Sequence, residues 1–184
     1  RIFLDLKLHD IPNTVEKGLK AIKKLKPLLT TIHISGGDEM QKVCSKIKKN
    51  KTKILGVTIL TSLNNIQTKK YYNNRDINLL VKKFAHNASV NNLDGIVCSP
   101  LEIETVRKVI GDKMLIVVPG IRLEDKLKNK TDDQKRVLTP KKAIKLGADY
   151  LVIGRPIVES NDPLKIIKNI NKSIVSKWFL KFVD

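Results

Sequence analysis

Asp5, Lys7 and Asp10 place an acid, a base and a second acid close together just after the short apolar run Ile2–Leu4. If that run is a strand, its period of two turns the side chains of Asp5 and Lys7 to the same side. A carboxylate beside an ammonium keeps both groups charged, and Asp10 adds a further negative charge nearby. Such an array suits a reaction that expels a carboxylate and then needs a proton delivered at a fixed point. A salt bridge at a strand end, with Asp10 capping the next helix, accounts for the same residues. The residues alone leave both readings open.

Two other stretches carry chemistry. Tyr150-Leu151-Val152-Ile153-Gly154-Arg155-Pro156 reads as a strand ending in Gly-Arg. Glycine lets backbone N–H groups approach an anion, and arginine grips phosphate with two parallel hydrogen bonds. A turn with a surface arginine explains it as well. Val117-Val118-Pro119-Gly120-Ile121-Arg122 leads into a long polar segment reaching Asp132-Asp133-Gln134-Lys135-Arg136, a candidate lid or a solvated loop. Cys44 and Cys98 have no metal-binding spacing and sit in apolar surroundings, so buried, reduced thiols are expected.

The elements that must position these residues show in the apolar pattern. Runs at Ile2–Leu4, Thr31–Ile34, Ile54–Leu60, Gly95–Cys98, Leu115–Val118 and Tyr150–Ile153 are near-continuous, as in parallel strands covered on both faces. Helical stripes lie between them: Val15, Leu19, Ile22 and Leu25; Met40, Val43, Cys44 and Ile47; Leu80, Phe84 and Ala88. Leu101, Val106 and Val109-Ile110 follow, then Ala143, Ile144 and Leu146, and finally Leu164, Ile167, Ile170 and Ile174. Asp10 with Pro12, Ser99-Pro100, Thr139-Pro140 and Asp162-Pro163 mark helix starts, and Gly147 marks a helix end. Strands recur about every 30 residues, the repeat of a (β/α)8 barrel. A doubly wound sheet alternates in the same way, so the period alone allows either.

With 184 residues and 41% apolar composition, one domain over 1–184 is expected. No apolar run approaches the roughly 18–20 residues that span a bilayer. No signal-peptide pattern is read, so the expectation is a cytoplasmic protein with no membrane partner. The formal net charge is +18, yet aromatics make up 4% and the lysines are scattered along helix faces. That pattern argues against a nucleic-acid site and for solvated lysines, in a field that draws in phosphorylated substrates.

In order along the chain, the motifs resemble one family. Asp5-x-Lys7-x-x-Asp10-Ile11-Pro12-Asn13-Thr14 is followed by His33-x-Ser35-Gly36-Gly37, Val57-Thr58-x-Leu60-Thr61-Ser62 and Asp94-Gly95-x-Val97-Cys98-Ser99. Then come Pro119-Gly120-Ile121-Arg122, Asp133-Gln134-x-Arg136 with Thr139-Pro140, and Val152-Ile153-Gly154-Arg155-Pro156. The set, which spans essentially the whole chain, resembles the orotidine 5′-monophosphate decarboxylases, cofactor-free and metal-free (β/α)8-barrel enzymes of pyrimidine synthesis. The resemblance implies that Lys7 protonates the ring carbon as carbon dioxide leaves, with Asp5 beside the departing carboxylate. It implies that Asp10, Ile11 and Thr14 serve the neighbouring subunit's site in a homodimer. Gly154 and Arg155 would hold the 5′-phosphate, with Gln134 bridging from the lid and Arg122 at its base. Pro119 would line the pyrimidine pocket, and Thr61 with Ser62 would bind the nucleotide. His33 is read as packing.

Six strand–helix units are present, so the barrel is expected to lack its first two. An aspartate and a lysine of the family array would lie on those units, upstream of Arg1. Two alternatives accompany this reading: a non-catalytic remnant that binds nucleotide phosphate, and a related metal-dependent sugar-phosphate decarboxylase or synthase.

Overall fold

The computed structural model describes residues 1–47, 52–74, 76–123 and 137–175. Six strands, β1 (Phe3–Leu8), β2 (Leu29–His33), β3 (Lys53–Val57), β4 (Gly95–Val97), β5 (Leu115–Val118) and β6 (Tyr150–Leu151), form one sheet. Every pairing is parallel, and the spatial order β1-β2-β3-β4-β5-β6 is the chain order. A doubly wound sheet reverses its strand order at a switch point; this one never does. The sheet curls, because β1 and the residue after β6 line the same cleft. It is therefore six strands' worth of a (β/α)8 barrel, with β1 and β6 at its edges among the described residues.

The helices are α1 (Pro12–Lys24), α2 (Asp38–Lys46), α3 (Asn65–Tyr72), α4 (Ile77–Val90), α5 (Ile103–Ile110), α6 (Pro140–Lys145), α7 (Arg155–Val158) and α8 (Pro163–Val175). Alternate strand residues feed two apolar layers. Ile32, Ile54, Ile96, Ile116 and Val118 face outward and pack with Val15, Leu19, Met40, Cys44, Val81 and Val106 of the helices. Leu29, Leu55 and Val117 face inward with Phe3, Val97 and Leu115, forming a small plug inside the curl. Gly95 belongs to this crowded interior: a Cβ there would stand 2.6 Å from the Leu115 carbonyl oxygen.

At the strands' N-terminal ends, two aspartates tie neighbours together. Asp94, just before β4, accepts the Ile54 N–H at 2.8 Å. Asp149, just before β6, accepts the Ile116 N–H at 2.7 Å and a hydrogen bond from the Arg107 guanidinium at 2.8 Å. Arg107 also donates to the carbonyls of Gly111, Met114 and Gly147.

The structure departs from the sequence reading in several places. Helix α3, unforeseen, starts with a reciprocal cap in which Asn64 accepts from the Gln67 N–H while Gln67 accepts from the Asn64 N–H. Asp10 does not cap α1: Ile11 is the N-cap, without a side-chain bond, and Asp10 accepts the Ile11 N–H instead. Leu25, expected in the α1 stripe, is 68% exposed because it follows the last helical turn. Leu101 and Leu164 are likewise exposed. Ser99, Thr139 and Asp162 do cap the turns or helices that follow them. Both cysteines are buried and neither is joined in a disulfide, and burial pushes the Cys44 thiol up to about 12.

Candidate active site

The site begins with an irregularity in β1. Leu4 pairs with Thr30 and Leu8 with Ile32, so β1 spends two more residues than β2 over the same span. The excess bulges out at Asp5, Leu6 and Lys7, and Lys7 takes the left-handed region at φ 50°. A bulge re-aims side chains, and left-handed backbone at a non-glycine residue costs roughly 1–3 kcal/mol, so neighbours must enforce it. The expected pairing of Asp5 and Lys7 is present, produced by this bulge rather than by a flat pleat. The Lys7 ammonium donates to Asp5 Oδ2 at 2.5 Å. Thr31 on β2 donates its hydroxyl proton to Asp5 Oδ1 at 2.7 Å and accepts the Lys7 backbone N–H at 2.8 Å.

Asp5 and Lys7 open onto a cleft of about 210 Å³ at the C-terminal ends of the strands. Thr61 after β3, Cys98 after β4, Pro119 after β5 and Val152 after β6 complete its rim, above the apolar plug. An ion pair thus faces an apolar wall across the cleft. A ligand that displaces water from the cleft strengthens the electrostatic interactions left inside.

The remaining candidates are placed as follows. Gly154 and Arg155 lie two and three residues beyond Val152, both exposed, with Gly154 as the N-cap of the short α7 turn. Ser62 is exposed beside Thr61 but does not line the cleft. Arg122 is 6% exposed, donates to the Ile121 carbonyl and receives the Leu138 carbonyl on its backbone N–H. It lies just before the segment 124–136 and is not part of the cleft lining. Gln134, like the rest of 124–136, lies outside the described residues. Asp10, Ile11 and Thr14 are exposed and absent from the cleft lining; Ile11 is 66% exposed.

His33 is half-buried at the end of β2, with its ring 5.2 Å from that of His9. Burial, then the charges of His9 and Lys7, hold its pKa below the ordinary histidine value, against a smaller opposing pull from Asp5. Thr31 escaped the sequence reading as a functional residue. Its signal was available: in a strand over Leu29–His33 it shares a face with His33 and neighbours β1. Among the described residues, no group of three or more His, Cys, Asp or Glu is placed to share a metal ion, and no helix is long and apolar enough to cross a membrane.

Comparison with known proteins converges on one group. Residues 1–170 match the model of the orotidine 5′-phosphate decarboxylase / HUMPS family. The chain is similar to the orotidine 5′-phosphate decarboxylase of Dictyoglomus thermophilum, with 45% identity over 182 residues, covering 94% of this chain and 73% of that protein. It is similar to the enzyme of the same name from Wolbachia sp. subsp. Brugia malayi, with 47% identity over 173 residues, 94% of this chain and 75% of that one. The crystal structure of orotidine 5′-phosphate decarboxylase from Lactobacillus acidophilus superposes with a TM-score of 0.80 at 37% identity, covering 95% of this chain and 75% of that chain.

Proposed function

The chain belongs to the orotidine 5′-phosphate decarboxylase / HUMPS family, and from that premise we infer that its reaction is the decarboxylation of orotidine 5′-monophosphate to uridine 5′-monophosphate in pyrimidine biosynthesis. The observation that carries this reading is the Asp5–Lys7 pair, held on the β1 bulge over a largely apolar cleft.

In the proposed mechanism the ring stacks against Pro119 with its carboxylate directed at Asp5. Two carboxylates in contact repel each other, and the repulsion is relieved as the bond between the ring carbon and the carboxylate breaks. Carbon dioxide departs and the electron pair stays on the ring carbon, beside the Lys7 ammonium. That ammonium stabilises the developing carbanion and then donates a proton to it; the neutral amine regains a proton from solvent. The interaction is stronger in the transition state than in the ground state, which is what lowers a barrier. Thr61 and Ser62 contact the nucleotide, Gly154 and Arg155 hold its phosphate, and Gln134 and Arg122 act from the loop and its base. Arg155 opens α7 three residues beyond Val152 of the cleft lining, which supports that assignment.

Asp10, Ile11 and Thr14 are assigned to a second subunit's site in a homodimer. Their outward exposure, Ile11 above all, supports that direction. The proposal includes one domain over 1–184, a cytoplasmic location and no requirement for a metal or organic cofactor.

The alternative reading is a related metal-dependent sugar-phosphate decarboxylase or synthase, so the test must separate the two chemistries. Orotidine 5′-monophosphate is supplied to protein treated with EDTA and to untreated protein, and its ultraviolet absorbance is followed. Equal turnover in both is expected. Turnover that vanishes with EDTA and returns with a divalent cation, or no turnover in either, refutes the reading.

A further inference from the structure

Thr31 is fully buried, and its hydroxyl is used twice. It gives its proton to Asp5 Oδ1 at 2.7 Å and takes the Lys7 backbone N–H at 2.8 Å. The other Asp5 oxygen takes the Lys7 ammonium. One hydroxyl on β2 therefore closes a ring through the carboxylate, the ammonium, the lysine side chain and the lysine backbone. The adjacent Thr30 hydroxyl donates to the Leu4 carbonyl at 2.9 Å and anchors the residue where the bulge begins.

We propose that Thr31 is a positioning residue for the reaction: its hydroxyl fixes the carboxylate rotamer of Asp5 and holds Lys7 in the left-handed conformation that aims its amine across the cleft. The inference rests on the catalytic reading of Asp5 and Lys7. It follows from geometry and hydrogen-bond chemistry. The bulge lifts residues 5–7 out of the regular ladder, so a side chain must supply the acceptor that strand pairing would otherwise provide for the Lys7 N–H. Among side chains small enough for a buried strand position, a hydroxyl can accept from a backbone N–H and donate to a carboxylate at once. Valine matches threonine in shape but does neither.

Substituting Thr31→Val should lower kcat about 10- to 100-fold with KM changed less than threefold, since misplacement of a reacting group by about 1 Å costs that much. Thr31→Ser, which keeps the hydroxyl, should stay within threefold of the wild-type kcat. A purely structural role would instead lower the melting temperature of both variants and leave the kcat of the folded protein unchanged. A second readout is independent of turnover: amide hydrogen exchange at Lys7, measured by NMR, should accelerate in Thr31→Val and not in Thr31→Ser. Lys7→Ala serves as the control for the underlying reading. If Lys7→Ala turns over substrate, the catalytic assignment itself fails. If Lys7→Ala is inactive while Thr31→Val keeps its kcat within threefold, the positioning role is wrong. Unchanged Lys7 exchange in Thr31→Val overturns it as well.

Discussion

Asp149→Ala should unfold the protein more readily while leaving its chemistry alone. The Asp149 carboxylate accepts the N–H of Ile116, a fully buried residue on β5, so its removal strands that donor. A hydrogen bond to a charged acceptor contributes about 1.5–3 kcal/mol, and an unsatisfied buried N–H is costly on the same scale. The ion pair with Arg107 adds little: it is partly exposed, and Arg107 keeps three carbonyl acceptors. The expected loss is about 2–3 kcal/mol, which for a chain of this size lowers the melting temperature by about 5–10 °C. Asp149→Asn keeps an acceptor for Ile116 and should lose about half as much. Urea unfolding followed by circular dichroism measures the difference, with kcat and KM read well below the transition. The residue lies at the strand end opposite the cleft, so both constants should match the wild type. A stability loss below about 0.5 kcal/mol in Asp149→Ala would refute the tie between β5 and β6.

Gly95→Ala puts a methyl group 2.6 Å from a backbone oxygen that cannot swing away; a destabilisation of about 3 kcal/mol is expected in the same urea assay. Arg155→Ala should weaken binding of uridine monophosphate by about 10- to 100-fold, measured by calorimetry, the worth of a charged hydrogen bond to phosphate; unchanged affinity refutes the phosphate role. His33, whose pKa is lowered in the folded protein, contributes stability that is whole above the ordinary value of 6.5. That stability falls as pH drops below 6.5, because the unfolded chain takes up the proton first. Denaturation midpoints between about pH 5 and 7 should therefore slope less in His33→Gln than in the wild type.

The frame was legible because its signal is apolar periodicity. Each of the six strands overlaps one of the apolar runs, and most helices carry stripes such as Val15, Leu19 and Ile22. Helix α3 was not legible: Thr68 is its one buried residue, and an apolar scan passes over a polar helix held by its cap. Leu25, Leu101 and Leu164 fit the helical period yet face solvent, since periodicity does not say where a helix runs past the sheet. Strand order had to come from the structure, because barrel and open sheet share the same alternation. In the site, Asp5 and Lys7 were readable from spacing, whereas Thr61 and Pro119 were brought forward by family motifs. The left-handed backbone of Lys7 has no local sequence signal. It is imposed by β2 through Thr31, a contact between residues 24 apart in the chain. Nor does spacing reveal that Asp10, Ile11 and Thr14 are exposed and do not line the cleft; that depends on where α1 leaves the bulged strand.

The most direct test is decarboxylation of orotidine 5′-monophosphate by this chain and by its Lys7→Ala variant, with uridine monophosphate affinity measured for both. Loss of turnover in the variant, with nucleotide binding still measurable, is the predicted result. Substantial turnover without the Lys7 amine would contradict the account at its centre.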